Sequence, residues 1–180
     1  VNKTGTDWFH ELFQNAPMTS HNLTASGGTD KSNYMVSLGY FNQQGTMLKS
    51  YLERYSARIN TQFKVKNNIR IGENLYIFYK KNPGFDNLST GNPIAWTYRA
   101  MPTIPVYDIK GNFAGTFAGP ELGSSSNPVA VQMNTVNNKT NAWNAVGNVF
   151  AEVDFLKHFT ARTSLGGSVD NQYATNFTFT

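Results

Sequence analysis

The 180-residue chain contains no cysteine. That excludes disulfide scaffolding, thiolate metal sites and thiol nucleophiles together. Charge is also scarce: Asp, Glu, Lys and Arg make up 14% of the residues, the net charge is +4, and no run of Lys or Arg stands out. The basic footprint of a nucleic-acid binder is therefore missing, and no nucleic acid is expected as a partner. Hydrophobic residues total only 39%, and no stretch approaches the ~18 consecutive apolar residues of a membrane-crossing helix. A β-barrel is untouched by that absence, because its strands are never strongly hydrophobic overall. The histidines, His10, His21 and His158, have no partner at metal-ligand spacing. Asp7 and Glu11 can share a helix face, but capping accounts for them better than acid–base work. Ser124-Ser125-Ser126 has no nucleophile-elbow context, and Gly111 to Gly115 lacks phosphate-loop spacing. No enzyme, cofactor or metal site is expected.

What the chain does have is alternation. From Tyr55 to Val65, Tyr55, Ala57, Ile59, Thr61, Phe63 and Val65 fall on one side, and Ser56, Arg58, Asn60, Gln62 and Lys64 on the other. A period of two is the signature of an extended strand. Aromatics reach 14%, and much of the remainder is Asn, Thr, Ser, Gly and Gln. A strand that is greasy on one side and polar on the other suits a barrel wall between lipid and water. The composition equally fits a secreted or surface β-sandwich that binds carbohydrate, and on composition alone both remain open.

The same reading along the chain gives six strands: about His21 to Ser26, Asn33 to Gln43, Tyr55 to Val65, Ile69 to Lys80, Trp143 to Phe155, and Phe159 to Val169. Glu73 interrupts the apolar side of the fourth, which predicts either a bulge there or a position at the lipid head-group boundary. Asp7 to Gln14 reads as a short helix with Trp8, Leu12 and Phe9 on its apolar side. Residues 82–141 form a long loop punctuated by Pro and Gly, with a short helix expected over Ile94 to Ala100. Connections alternate between tight and long, as in transmembrane barrels, where short turns are periplasmic and long loops face outside. The expected organisation is residues 1–20 as an outer loop with a short helix, 21–81 as four barrel strands, 82–141 as a long extracellular loop, and 142–180 as further strands. The chain opens and closes in mid-pattern, as a piece of a longer one would.

Several segments together resemble the SusC/RagA family of TonB-dependent outer-membrane transporters. They are Thr6-Asp7-Trp8, Ala16-Pro17-Met18, Ser20-His21-Asn22-Leu23, Ser26-Gly27-Gly28, Ser32-Asn33-Tyr34, Ser37 to Gly45, Arg54-Tyr55-Ser56, Pro102 to Asp108 and Gly111-Asn112. The resemblance implies an all-β fold, an antiparallel transmembrane β-barrel segment supplying about six of roughly 22 strands. It also implies an internal plug, an energy link to TonB through regions outside this stretch, and a SusD-like surface lipoprotein as a lid. Lipid and lipopolysaccharide would surround the wall, and the cargo would be a glycan or peptide. No signal peptide, TonB box, plug or closing strand is read in these 180 residues.

Two sets of candidate residues follow. Trp96, Tyr98 and Tyr107 lie in the long loop, where aromatic rings could stack on ligand or on a lid protein, or could anchor the loop instead. Arg58, Asn60, Lys64, Asn148, Glu152 and Arg162 fall on the polar side and are expected to face the lumen. Pairing Phe155 with Phe159 would bring Glu152 opposite Arg162. Tyr34, Tyr40, Tyr55, Phe63, Tyr79, Trp143 and Phe155 fall near strand ends, as an interfacial aromatic girdle would.

Overall fold

The computed structural model describes residues 4–83, 91–115 and 120–177. Its frame is one sheet of six strands: β1 (Met18–Thr29), β2 (Ser32–Gln44), β3 (Tyr51–Lys66), β4 (Ile69–Asn82), β5 (Lys139–Phe155) and β6 (Phe159–Thr175). Each pairs antiparallel with the next in chain order. The strands run past the bounds that alternation marks. β1 begins at Met18 and β5 at Lys139, and β6 continues to Thr175. These extensions are polar, and ladder hydrogen bonds between backbones need no apolar side chain to continue.

Register converts the alternation into two distinct faces. On the apolar face Leu23, Leu38, Ala57, Ile77, Ala145 and Val169 align across all six strands. Beside that row, Ala25, Val36, Ile59 and Leu75 align in the same way, followed by Gly147 and Gly167. A slip of one residue at any pair would turn one strand's apolar set to the other side, so the register is strongly specified. The described residues form a single sheet, with no second sheet over this face. Of the two readings of Glu73, the bulge is absent: Glu73 stays in regular pairing with Thr61 and Val149, exposed on the apolar face. The register shift lies instead between Lys64 and Lys66, beside the β3–β4 turn.

The turns at Asp30–Lys31, Asn67–Asn68 and Leu156–His158 gather at one end of the sheet, and the longer connections at the other. At that second end three short helices form a cap: α1 (Trp8–Leu12), α2 (Pro93–Thr97) and α3 (Pro128–Asn134). Asp7 caps α1, accepting from the His10 backbone N–H at 3.1 Å. The helix is shorter than the expected 7–14. Phe13 is already extended and bridges to Met47 of the β2–β3 loop. Trp8 and Leu12 are buried as expected, whereas Phe9 is exposed. α2 starts one residue before the expected Ile94 and ends three residues before Ala100, with Asn92 accepting from the Ala95 N–H and Pro93 in the first turn. Trp8, Ala100, Ile104 and Val129 make a small core, so the described parts of the long loop include packed structure.

The polar face and the cap as a candidate functional site

The polar face divides into three zones along the strands. Nearest the tight turns is an ion-pair cluster. The Arg70 Nε donates to Glu152 Oε2 at 2.9 Å, and its Nη1 and Nη2 donate to the two Asp154 oxygens at 2.6 and 2.9 Å. The Arg162 Nη1 donates to Glu152 Oε1 at 3.0 Å. Glu152 is directly across from Arg162, and Phe155 from Phe159, as the hairpin reading expected. Lys64 lies opposite Arg70. The sequence reading missed Arg70 and Asp154, because only the β4–β5 register, closed across the long loop, brings them into the cluster.

The middle zone is a row of amides. Asn60, Asn74 and Asn148 align on β3, β4 and β5, and the Asn74 Nδ2 donates to Asn148 Oδ1 at 3.0 Å. They line a concave site of about 670 Å³ together with Arg58, Tyr76 and Gly166. The zone nearest the cap carries Arg54 and Arg58 on β3, each over an aromatic ring. The Arg54 guanidinium lies 5.4 Å from the Phe41 centroid, and that of Arg58 lies 5.1 Å from the Tyr76 centroid. A third pair, Arg162 over Phe150 at 4.1 Å, sits in the ion-pair cluster. Gly72 makes room for that ring, since a Cβ there would come within 2.5 Å of the Phe150 Cζ. These polar-face aromatics were not singled out from sequence. Their signal is present in the runs Tyr40-Phe41 and Tyr76-Ile77-Phe78-Tyr79, which at period two must send rings to both faces.

On the opposite face His21, Tyr40, Tyr55, Tyr79 and Trp143 form one continuous row across β1 to β5. Neighbouring ring centroids are 6.4, 5.2 and 4.6 Å apart for the His21–Tyr40, Tyr40–Tyr55 and Tyr79–Trp143 pairs. One step beyond it toward the cap the same face turns polar, with Asn42, Glu53, Lys81 and Asn141 in line. Phe63, Phe155 and Phe159 lie toward the tight-turn end.

The cap holds the loop aromatics on two separate segments. The Trp96 indole N–H donates to the Gly91 carbonyl at 3.0 Å, and Arg99 lies 5.5 Å from the ring, so α2 and its own neighbours hold this side chain in place. Tyr98 caps the same helix and is 79% exposed. Tyr107 belongs to a finger in which it bridges and stacks on Phe113, with centroids 5.2 Å apart. Asp108 builds the finger's turn: its Oδ1 accepts the backbone N–H groups of Lys110 and Asn112 at 2.8 and 2.9 Å, and Gly111 supplies the left-handed residue at φ +83°. These bonds, the Asn112 amide first, hold the Asp108 carboxyl below the usual aspartate range.

Asn127 ties the finger to α3. It is 8% exposed and makes four hydrogen bonds. Its Oδ1 accepts from the Val129 and Ala130 N–H groups at the helix start, and its Nδ2 donates to the Val106 and Ala114 carbonyls at 2.9 and 3.0 Å. Gln132, 1% exposed, donates from Nε2 to the Leu48 carbonyl at 2.6 Å and fastens α3 to the β2–β3 loop. The structure thus gathers Arg58, Asn60 and Asn148 at one site, and Lys64, Glu152 and Arg162 at another. Trp96 with Tyr98, and Tyr107, occupy separate parts of the cap.

No family model matches the chain. Individual proteins do. TonB-dependent receptor SusC of Bacteroides thetaiotaomicron is 29% identical over 187 residues, covering 94% of this chain and 18% of the receptor. TonB-dependent receptors P26 and P3 of Formosa agariphila are 29% and 26% identical, covering 96% and 92% of this chain and 17% of each receptor. The chain therefore spans under a fifth of the length of the curated relatives it matches. Among solved structures, the RagAB peptide importer in its closed-closed state aligns with 96% of this chain and 20% of its own, at a TM-score of 0.72 and 24% identity. The same chain in the open-open state gives the same values.

Proposed function

We propose that this chain, a homologue of TonB-dependent receptors of the SusC type, supplies six wall strands and an outer cap to an importer in the outer membrane of a Gram-negative bacterium. The observation that carries this reading is the contrast between the two faces. The apolar face has aliphatic rows, broken at the Thr61–Glu73 pair, that end in an aromatic row, and a polar row follows. From Tyr79 to Ile69 is ten residue steps, about 33 Å of strand. At a tilt of about 40° that is about 25 Å of height, the depth of the apolar band on a membrane barrel. The apolar groove of about 670 Å³ between the aromatic row and Leu38 then holds acyl chains. Glu53 and Lys81, paired at 3.6 Å just past the aromatic row, meet lipid or lipopolysaccharide head groups.

The polar face turns to the water-filled lumen and the plug. Arg58, Asn60, Lys64, Asn148, Glu152 and Arg162 line that interior, and the cap faces outside with Tyr98 and Tyr107 toward ligand or a SusD-like lipoprotein lid. Trp96, already bonded within α2, steadies that surface. The cargo is a glycan or peptide oligomer, and the energy link to TonB runs through parts of the protein outside this stretch. The likeness to the RagAB peptide importer supports the transport reading and fits either cargo.

Uptake of labelled oligosaccharides and peptides by cells carrying the full-length receptor tests it. Accumulation should require both the receptor and TonB. Unchanged uptake without TonB, or recovery of the receptor in the soluble fraction, would overturn the reading.

A further inference from the structure

The cations of the polar face are neutralised unevenly. Near the tight turns Arg70 and Arg162 share Glu152 and Asp154, and Lys64, across from Arg70, lies beside that cluster. Toward the cap Arg54 lies directly across from Lys80, with Arg58 two steps of the alternation further along β3. None of the five ion pairs among the described residues includes Arg54, Arg58 or Lys80. Like charges placed directly opposite destabilise a strand pair unless something compensates them. Where the sheet needs permanent compensation it provides carboxylates on adjacent strands; here the flanking polar-face positions are Ser56, Phe78 and Ala142.

We propose that Arg54 and Arg58 form an anion-selective entry track that takes carboxylate groups on the cargo. This rests on the importer reading. Phe41 and Tyr76 supply the second half of the argument, since each ring lies under one guanidinium. A guanidinium placed over a ring still has N–H groups to fork onto a carboxylate. A ring also holds the long side chain in place, so less freedom is lost on binding. Four residues along β3 separate the two arginines by about 13 Å, so the track suits an oligomer that presents several carboxylates in succession. The neutral row of Asn60, Asn74 and Asn148 lies next along the path, and there amides contact cargo without trapping charge. An oligouronate and an acidic peptide share this chemistry.

The test uses the purified full-length receptor and four probes of matched length: an oligogalacturonate, an oligoglutamate, a neutral maltooligosaccharide and an oligoasparagine. The wild type should bind at least one acidic probe more tightly than its neutral counterpart, and which one identifies the source of the carboxylates. The R54Q/R58Q double variant should lose about tenfold or more of the preference for the acidic probe over its neutral counterpart. R54K/R58K, which keeps charge but loses the flat fork, should fall between. Equal binding of acidic and neutral probes by the wild type overturns the proposal. So does an unaltered preference in R54Q/R58Q, and so does a variant whose only defect is a less heat-resistant barrel, which would assign the arginines to an acidic part of the receptor itself. A wild type that binds and imports no probe contradicts the importer reading, and this proposal with it.

Discussion

Single side chains decide how the cap is held. Asn127 satisfies two donors at the start of α3 and two carbonyls of the finger at once. Asn127→Ala should cost about 2–4 kcal/mol of local stability, through a lost helix cap and two buried carbonyls without donors. Asn127→Asp separates the roles, because it keeps the acceptor for α3 and loses the donors. Hydrogen exchange should then show residues 106–114 opening while α3 stays protected. Asp108 makes the finger acid-sensitive. Its carboxyl is held below the ordinary value of 3.8, so its contribution is present above that value and fades as pH falls through the lower, folded-state one. Exchange in residues 108–112 should rise below about pH 4, and Asp108→Ala should show the fast rate at neutral pH. Of these two residues the sequence reading singled out neither. Asn127 before Pro128 carries a local helix-cap signal, but its finger partners lie 13 and 21 residues away, and no local pattern encodes a bond of that reach.

At the level of the strand, alternation was legible wherever one face is apolar, and β2 and β4 were read to within two residues at each end. Strand ends made only of polar residues were not, because nothing in Thr19-Ser20 or Lys139 to Asn141 separates a paired backbone from a loop. The cross-strand partners were legible only within a hairpin. Glu152 to Arg162 follows from a three-residue turn, whereas Glu152 to Arg70 needs strands that are neighbours in space and distant in sequence. This cluster is open to test. Glu152→Ala removes one partner from each of Arg70 and Arg162 and should cost about 1–3 kcal/mol, seen as a lower midpoint for denaturant unfolding of the barrel. Faces are testable on one strand pair. Leu75→Lys places a charge near mid-depth of the apolar rows and should cost about 2–4 kcal/mol. Asn144→Lys, directly across from Asp170 on the polar face, should change stability by less than about 0.5 kcal/mol.

The whole molecule is a curtain of wall with a packed cap at one end, and neither part explains itself alone. Six strands leave two open edges and two uncovered faces, a state that a barrel resolves by closing on itself. The relatives, more than five times longer than the matched stretch, provide the room for that closure. Legibility at this scale came from the order of tight and long connections together with the motifs shared with SusC-type receptors. The folded core of the cap was not legible, because its residues come from three segments separated by strands. Everything at this scale depends on which medium each face meets. The most direct measurement places a nitroxide at each position from Ile69 to Lys81 in the full-length receptor in membranes, and compares collision with oxygen and with a water-soluble nickel chelate. The account predicts strict alternation, with Ile71, Leu75 and Ile77 reached by oxygen and Arg70, Asn74 and Tyr76 reached by nickel. Collision with neither reagent at Ile71, Leu75 and Ile77, as when a second protein layer covers them, would contradict it, and so would the reversed pattern.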